Sequence, residues 1–249
     1  MTITSQHNQR LKEVRKLRQR RRERERSARF VAEGEDLLAA ADAAGWPALE
    51  RFCSAGSGLP GIEIEPSTLA SVSGLASGTR TLAVYEERWA SEAVGPVCVY
   101  LHGVSDPGNV GAVLRSAQAF GAACVALGPG TADPYGPKAV RASMGAIFAV
   151  PVARAMAIGE LPGETIALVA GAGEPLGELW GARRAAVEGG AKREPPPTTL
   201  LIGAEREGLP DAVVALADHV AHIPIRTHSL NAAMAATVAL YELTRMPAA

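Results

Sequence analysis

Five polar side chains sit in three loops that follow apolar runs: Asn109 and Arg115 in HGVSDPGNVGAVLRSAQAFGA, Glu205 in LIGAEREGLP, and Ser229 with Asn231 in IPIRTHSLNAAMAATVALYE. Polar groups gathered in glycine-rich loops after apolar strands are where chemistry could sit. Each also has a plainer reading. Ser229 or Asn231 can cap the alanine-rich helix that follows by accepting from a free backbone N–H. Arg115 can be a surface charge, and Glu205 an ion-pair partner. Familiar nucleotide motifs fail: GVSDPG and GAEREG have the spacing of a phosphate-binding loop, but Asn109-Val110 and Leu209-Pro210 follow where Lys-Ser/Thr is required. GAGEPLG has one residue too many for a dinucleotide fingerprint. With no H-E-x-x-H, no G-x-S-x-G and no Cys/His cluster, zinc and common hydrolase chemistries are unsupported, and no metal is expected.

Holding those loops is the task of the chain from residue 97 onward. VCVYLH, CVALG, IALVA and TLLIGA are short continuous apolar runs, and NVGAVLRSAQAFG, DAVVALA and NAAMAATVALYEL read as helices between and after them. Buried strands alternating with helices predict an α/β domain with a parallel sheet covered on both faces, and ligands in such sheets bind beyond the carboxyl ends of the strands. Asn109 is placed at the start of a helix that Gly121 ends. Arg115 is then about 9 Å further along the axis, its side chain leaning back toward the loop mouth. Residues 1–88 read as a smaller α/β domain: a basic helix, a short strand at Phe30 and Val31, a helix ended by Gly45, and short strands in GIEIE and TLAVYEE. RWASEAVGP supplies the expected linker, residues 89–96, leaving 97–249 as the sheet domain. AAVEGGAKREPPP reads as a surface loop without chemistry.

Composition bounds the rest. Of 249 residues, 47% are hydrophobic and only 4% aromatic, so aliphatic packing must dominate the core. Three cysteines without metal-like spacing, and no apolar run of membrane-spanning length, predict a soluble protein of the reducing cytoplasm with no membrane partner. The net charge of −1 conceals an asymmetry. Residues 1–29 hold eleven Lys/Arg against three Glu, a balance of +8 that leaves −9 for the remainder. Arg15, Arg18, Arg21 and Arg22 in RLKEVRKLRQRRRERERSARF are candidate nucleic-acid contacts, because the arginine fork suits phosphate; a merely solvated charged face is the alternative. Leu11, Val14 and Leu17 give that helix a short apolar stripe.

Taken in order, DPGNVGAVLRSAQAFG, LIGAEREGL and IPIRTHSLNAAMA closely resemble the three motifs of the SpoU (TrmH) family of RNA ribose 2′-O-methyltransferases, within the SPOUT superfamily. The resemblance covers residues 97–245 well and reaches the N-terminal segment more weakly, where it is similar to a small substrate-binding domain. It implies S-adenosylmethionine as methyl donor, held in a C-terminal trefoil knot that general topology rules would not lead one to expect. It places Leu201, Gly203, Ile223, Leu230 and Asn231 at the cofactor. Arg115 falls on the catalytic arginine, and Asn109, Glu205, Ser229 and Asn231 form the hydrogen-bonding frame around cofactor and ribose. GPKAVRASMGAIF also resembles a family segment, which makes Lys138 and Arg141 candidate RNA contacts. The complete motifs imply an active enzyme and a homodimer, with large-subunit ribosomal RNA as target. Transfer RNA, or a non-catalytic RNA-binding or ribosome-assembly role, are the alternatives.

Overall fold

The computed structural model describes residues 2–74, 78–186 and 196–245. Most of the Gly/Pro-rich stretch at 185–197 lies outside them. The first half builds α1 (Gln9–Gln19), α2 (Arg21–Ser27), β1 (Arg29–Glu33), α3 (Glu35–Ala43), β2 (Glu50–Ser54), β3 (Ile62–Ile64), α4 (Pro66–Val72) and β4 (Thr81–Glu86). These strands form one sheet in the order β1-β4-β2-β3, with β4 antiparallel to both neighbours and β2 parallel to β3. The basic segment is two helices rather than the single one expected. Arg20 is extended (φ −125°, ψ 111°) and separates α1 from α2. The stripe is core: Leu11, Val14 and Leu17 are at most 3% exposed and pack with Phe52, Ile64, Leu69 and Leu82. Asn8 caps α1 by accepting from the Arg10 N–H.

From residue 97 the chain alternates as predicted: β5 (Val97–Leu101), α5 (Pro107–Phe120), β6 (Cys124–Leu127), α6 (Pro137–Ala142), α7 (Ala146–Ala149), β7 (Val152–Arg154), β8 (Glu164–Leu168), β9 (Glu174–Pro175), α8 (Leu176–Ala186), β10 (Thr198–Ile202), α9 (Asp211–Val214), β11 (His219–His222) and α10 (Ala232–Thr244). The seven strands are parallel throughout, in the order β7-β6-β5-β10-β8-β11-β9. β10 therefore returns to the middle, between β5 and β8. Side-chain alternation sorts the two faces: Val99, Leu101, Leu200 and Ile202 enter one core, while Cys98, Tyr100 and Leu201 enter the other. All three cysteines are buried and free.

The scarce aromatics are concentrated where the two sheets' layers meet. Phe30, Trp46 and Tyr85 pack with Tyr135 and Phe148 at ring separations of 4.8 Å (Phe30–Tyr135), 5.1 Å (Tyr85–Phe148) and 5.2 Å (Trp46–Phe148). Segment 89–96 is ordered against the large sheet: the Ala90 N–H donates to the Val152 carbonyl at 2.8 Å.

Candidate functional site

Three strand ends make a cleft. Beyond β8, β10 and β11, residues 168–170, 202–208 and 222–230, with the start of α10, enclose a cavity of about 270 Å³. Its walls include Gly203, Glu205, Ile223, Ser229 and Leu230. The 203–208 hairpin explains its glycine. Ala204 and Gly208 exchange backbone hydrogen bonds, and a Cβ on Gly203 would lie 2.2 Å from the Gly208 carbonyl carbon. Leu201 departs from its expected place. It lies on the opposite face of β10, fully buried beside Cys98 and Tyr100, and Ile202 lines the cleft instead. A strand turns alternate side chains to opposite faces, so the two neighbours cannot share one wall.

A chain of side-chain amides ties the three loops together. Asn231 donates from Nδ2 to Asn109 Oδ1 at 3.1 Å, and Asn109 donates from its own Nδ2 to Glu205 Oε1. Asn231 also caps α10, its Oδ1 accepting from the Ala233 and Met234 N–H groups at 3.0 and 3.3 Å. Asn231 thus realises the capping reading and bonds Asn109 as well, without itself lining the cleft. Ser229 does not cap the helix; it faces the cleft.

Two residues of the frame escaped the sequence reading. Helix α5 begins at Pro107, not Asn109, because Asp106 is the cap: Oδ1 accepts from the Gly108 N–H at 2.5 Å. Asp followed by Pro at the first helical position was a readable signal for that start. The Asp106 carboxyl is held below the usual carboxylate range, first by the Lys138 ammonium at 2.9 Å and then by the Gly108 amide. Lys138, expected as an RNA contact, is thereby clamped over the start of α5. The second missed residue is His222, whose Nδ1 is buried with no hydrogen-bond partner among the described residues while the residue lines the cleft. As the last residue of β11, next to Ile223, it gave no cue.

Arg115 is not in the cleft wall. It is exposed on α5, and among the described residues it makes no hydrogen bond or ion pair. Its neighbour Ser116 bonds Thr237 of α10 at 2.6 Å, so Arg115 stands beside the helix whose Met234, Val238 and Tyr241 are 62%, 42% and 54% exposed.

The basic candidates divide. Arg22 is exposed, and Arg21 holds Glu25 at 2.8 Å on the surface. Arg15 is turned inward to the Gln6 carbonyl and Ser71. Arg18 faces Glu33 at 3.9 Å; burial lowers its pKa, and Arg141 nearby adds to the effect. Arg24, which was not singled out, is buried, with Nε and Nη2 on Asp133 Oδ2 at 2.8 and 2.7 Å and Nη1 on the Leu17 carbonyl. Among the described residues no cluster could hold a metal ion, and no helix is long and apolar enough to cross a membrane.

A parallel sheet whose loops meet at the carboxyl ends of its strands, around a cleft of mixed apolar and polar lining with a chain of side-chain amides beside it, has the form of a ligand-binding α/β domain. Residues 96–241 match the SpoU rRNA Methylase family and residues 8–89 the MRM3-like substrate binding domain. The chain belongs to the SpoU rRNA methylase family. It is similar to the 23S rRNA (uridine(2479)-2′-O)-methyltransferase of Streptomyces viridochromogenes, 37% identical over 57% of this chain and 50% of that one. It is similar along nearly its whole length to the 23S rRNA (guanosine(2553)-2′-O)-methyltransferase RlmP of Bacillus subtilis, 28% identical over 97% and 98% of the two chains. Among solved structures, the AdoMet-bound rRNA methyltransferase from Sinorhizobium meliloti superposes with a TM-score of 0.82 at 26% identity, covering 98% of this chain and 97% of that one. The chain spans about half the length of the first curated relatives it matches.

Proposed function

We propose that this protein methylates a ribose 2′-hydroxyl of RNA, with S-adenosylmethionine as donor and 23S ribosomal RNA as substrate. The observation that carries the reading is the Asn231–Asn109–Glu205 chain, which draws three distant loops to one rim of the cleft. An orphaned His222 Nδ1 close to the apolar Ile223 and Leu230, and a hairpin too tight for any Cβ at Gly203, suit a flat, hydrogen-bonding group such as adenine. S-adenosylmethionine supplies an activated methyl group on a sulfonium.

The protein has to align the accepting oxygen and compensate the charge that grows on it. Ile223 and Leu230 offer apolar contact and backbone groups, and Ser229 and Glu205 offer hydrogen bonds at the rim. A guanidinium is a poor general base, so the part of Arg115 is electrostatic: it holds the RNA phosphate next to the reacting hydroxyl, or steadies the incipient alkoxide. Its exposed position beside the apolar face of α10 supports a homodimer in which that face is covered and Arg115 is brought against a cleft. Residues 97–249 carry the transfer, with β10 re-entering between β5 and β8 in support of a C-terminal knot. Residues 1–88 present the RNA, joined through 89–96. Arg21 and Arg22, with Arg141 from the larger domain, are exposed cations available to that RNA. The free, buried cysteines suit the cytoplasm.

Mapping 2′-O-methyl positions on 23S rRNA from cells with and without the protein tests the assignment; identical maps would reject it. Arg115→Ala should leave cofactor affinity by calorimetry near wild type and lower the methylation rate by about 10²-fold or more. Undiminished turnover would remove Arg115 from the reaction.

A further inference from the structure

A second concavity lies outside the cleft. Where α2 crosses the carboxyl ends of β6 and β7, two adjoining hollows of about 390 and 300 Å³ share Arg21 and the 130–133 loop. The first begins at Ser105 and Pro107, at the start of α5 and within one helical turn of Asn109. The second ends at Glu87, Trp89 and Arg154. Together they make one trough leading away from the candidate transfer site.

Its far end is built. The Arg154 guanidinium lies over the Trp89 ring, 4.1 Å from the centroid, and forms no ion pair among the described residues. Trp89 is fixed from two sides, edge-to-face on Tyr135 at 5.2 Å and through its Nε1–H to Glu87 Oε2 at 2.9 Å. That bond engages one carboxylate oxygen, and among the described residues Oε1 has no hydrogen-bond partner. Burial pushes the Glu87 carboxyl above its ordinary range, so the group is kept at a cost to the fold. A flat cation stacked on an aromatic, beside an acceptor-only group, is the equipment for an unpaired base whose edge carries donors.

We propose that this trough seats the RNA strand on one side of the methylated ribose, and that its far end is a guanine pocket. The base stacks on Arg154 and donates N1–H and N2–H to Glu87. Uracil, which flanks its single donor with two carbonyls, is refused. The inference rests on the RNA-methylation reading and adds a sequence preference to it.

Fluorescence anisotropy with end-labelled UGUGUG and UUUUUU hexamers tests it on the full chain. The guanosine hexamer should bind about tenfold tighter. Replacing guanosine with inosine, which lacks the N2 amino group, should remove most of that margin without altering the protein. Glu87→Gln keeps an acceptor for Trp89 and should abolish the preference, while Arg154→Ala should weaken both hexamers; S-adenosylmethionine affinity should be unchanged in both. Equal binding of the two hexamers by the wild type, or a preference that survives inosine or Glu87→Gln, overturns the pocket. Methylation of 23S rRNA by a protein with no guanine preference would overturn the pocket alone. A guanine preference without any heat on adding S-adenosylmethionine would uphold the pocket and overturn the proposed function.

Discussion

Asn109 has both ends of its amide committed, receiving from Asn231 and giving to Glu205, so its orientation is fixed by two different loops. His222 is the opposite case, with one ring nitrogen buried and unanswered. Leaving such an atom unpaired costs the fold roughly 1–3 kcal/mol, and a ligand that pairs it recovers part of that. His222→Leu should therefore raise the S-adenosylmethionine dissociation constant about tenfold while leaving the unfolding midpoint equal or higher. An unchanged constant by calorimetry would separate His222 from the cofactor. Asp106 makes a pH prediction. Its folded pKa is depressed by Lys138 and the Gly108 amide, so the stability it contributes is present above the unfolded carboxylate value and is lost as pH falls through the folded one. The stability gap between wild type and Asp106→Asn, measured by urea unfolding, should be widest near neutrality and close as the buffer is acidified below pH 4. A gap independent of pH would contradict that role.

At the scale of elements, α2 joins the two halves. Arg24 reaches from it to Asp133 in the loop before α6, and both side chains are largely buried. Breaking one partner of such a pair leaves the other's charge stranded. Arg24→Met should cost about 3–5 kcal/mol, and Arg24→Met with Asp133→Leu clearly less than that. Equal losses by thermal unfolding would show that the stranded Asp133 charge is not the source of the penalty. Much of this layer was legible in the sequence. Continuous apolar runs announced the parallel strands, and Gly121 marks the end of α5 with φ +71°. What could not be read was pairing across distance. Arg24 is one of many arginines in its segment, and nothing local marks it as the buried one. The break at Arg20 was equally hidden, since no glycine or proline announces it. Leu201 was misplaced for a simpler reason: a motif gives sequence neighbours, whereas the pleat decides which of two neighbours faces the ligand.

For the whole molecule, the charge asymmetry read from the sequence survives, but its agents change. Removing residues 1–29 would take Leu11, Val14 and Leu17 out of a core, so deletion tests stability as much as binding. The exposed Arg20 and Arg22 can be neutralised without touching that core. If both contact single-stranded RNA, Arg20→Gln with Arg22→Gln should flatten the slope of log K against log salt by about 1.4. An unaltered slope would assign them to a solvated face. The three segments joined by the amide chain could be named from the sequence, but the aromatic seam could not, because its members come from both halves of the chain.

Gly111 sets one further property. A Cβ there would stand 2.3 Å from the Ala139 carbonyl oxygen and 2.7 Å from the Ala142 methyl, so α5 and α6 touch backbone to backbone with no cushion between them. One of these helices carries Asn109 and the other Lys138 and Arg141. Any shift of α6 would meet no cushioning side chain at this crossing before reaching the helix that carries Asn109, and it is the missing methyl group that sets so close an approach.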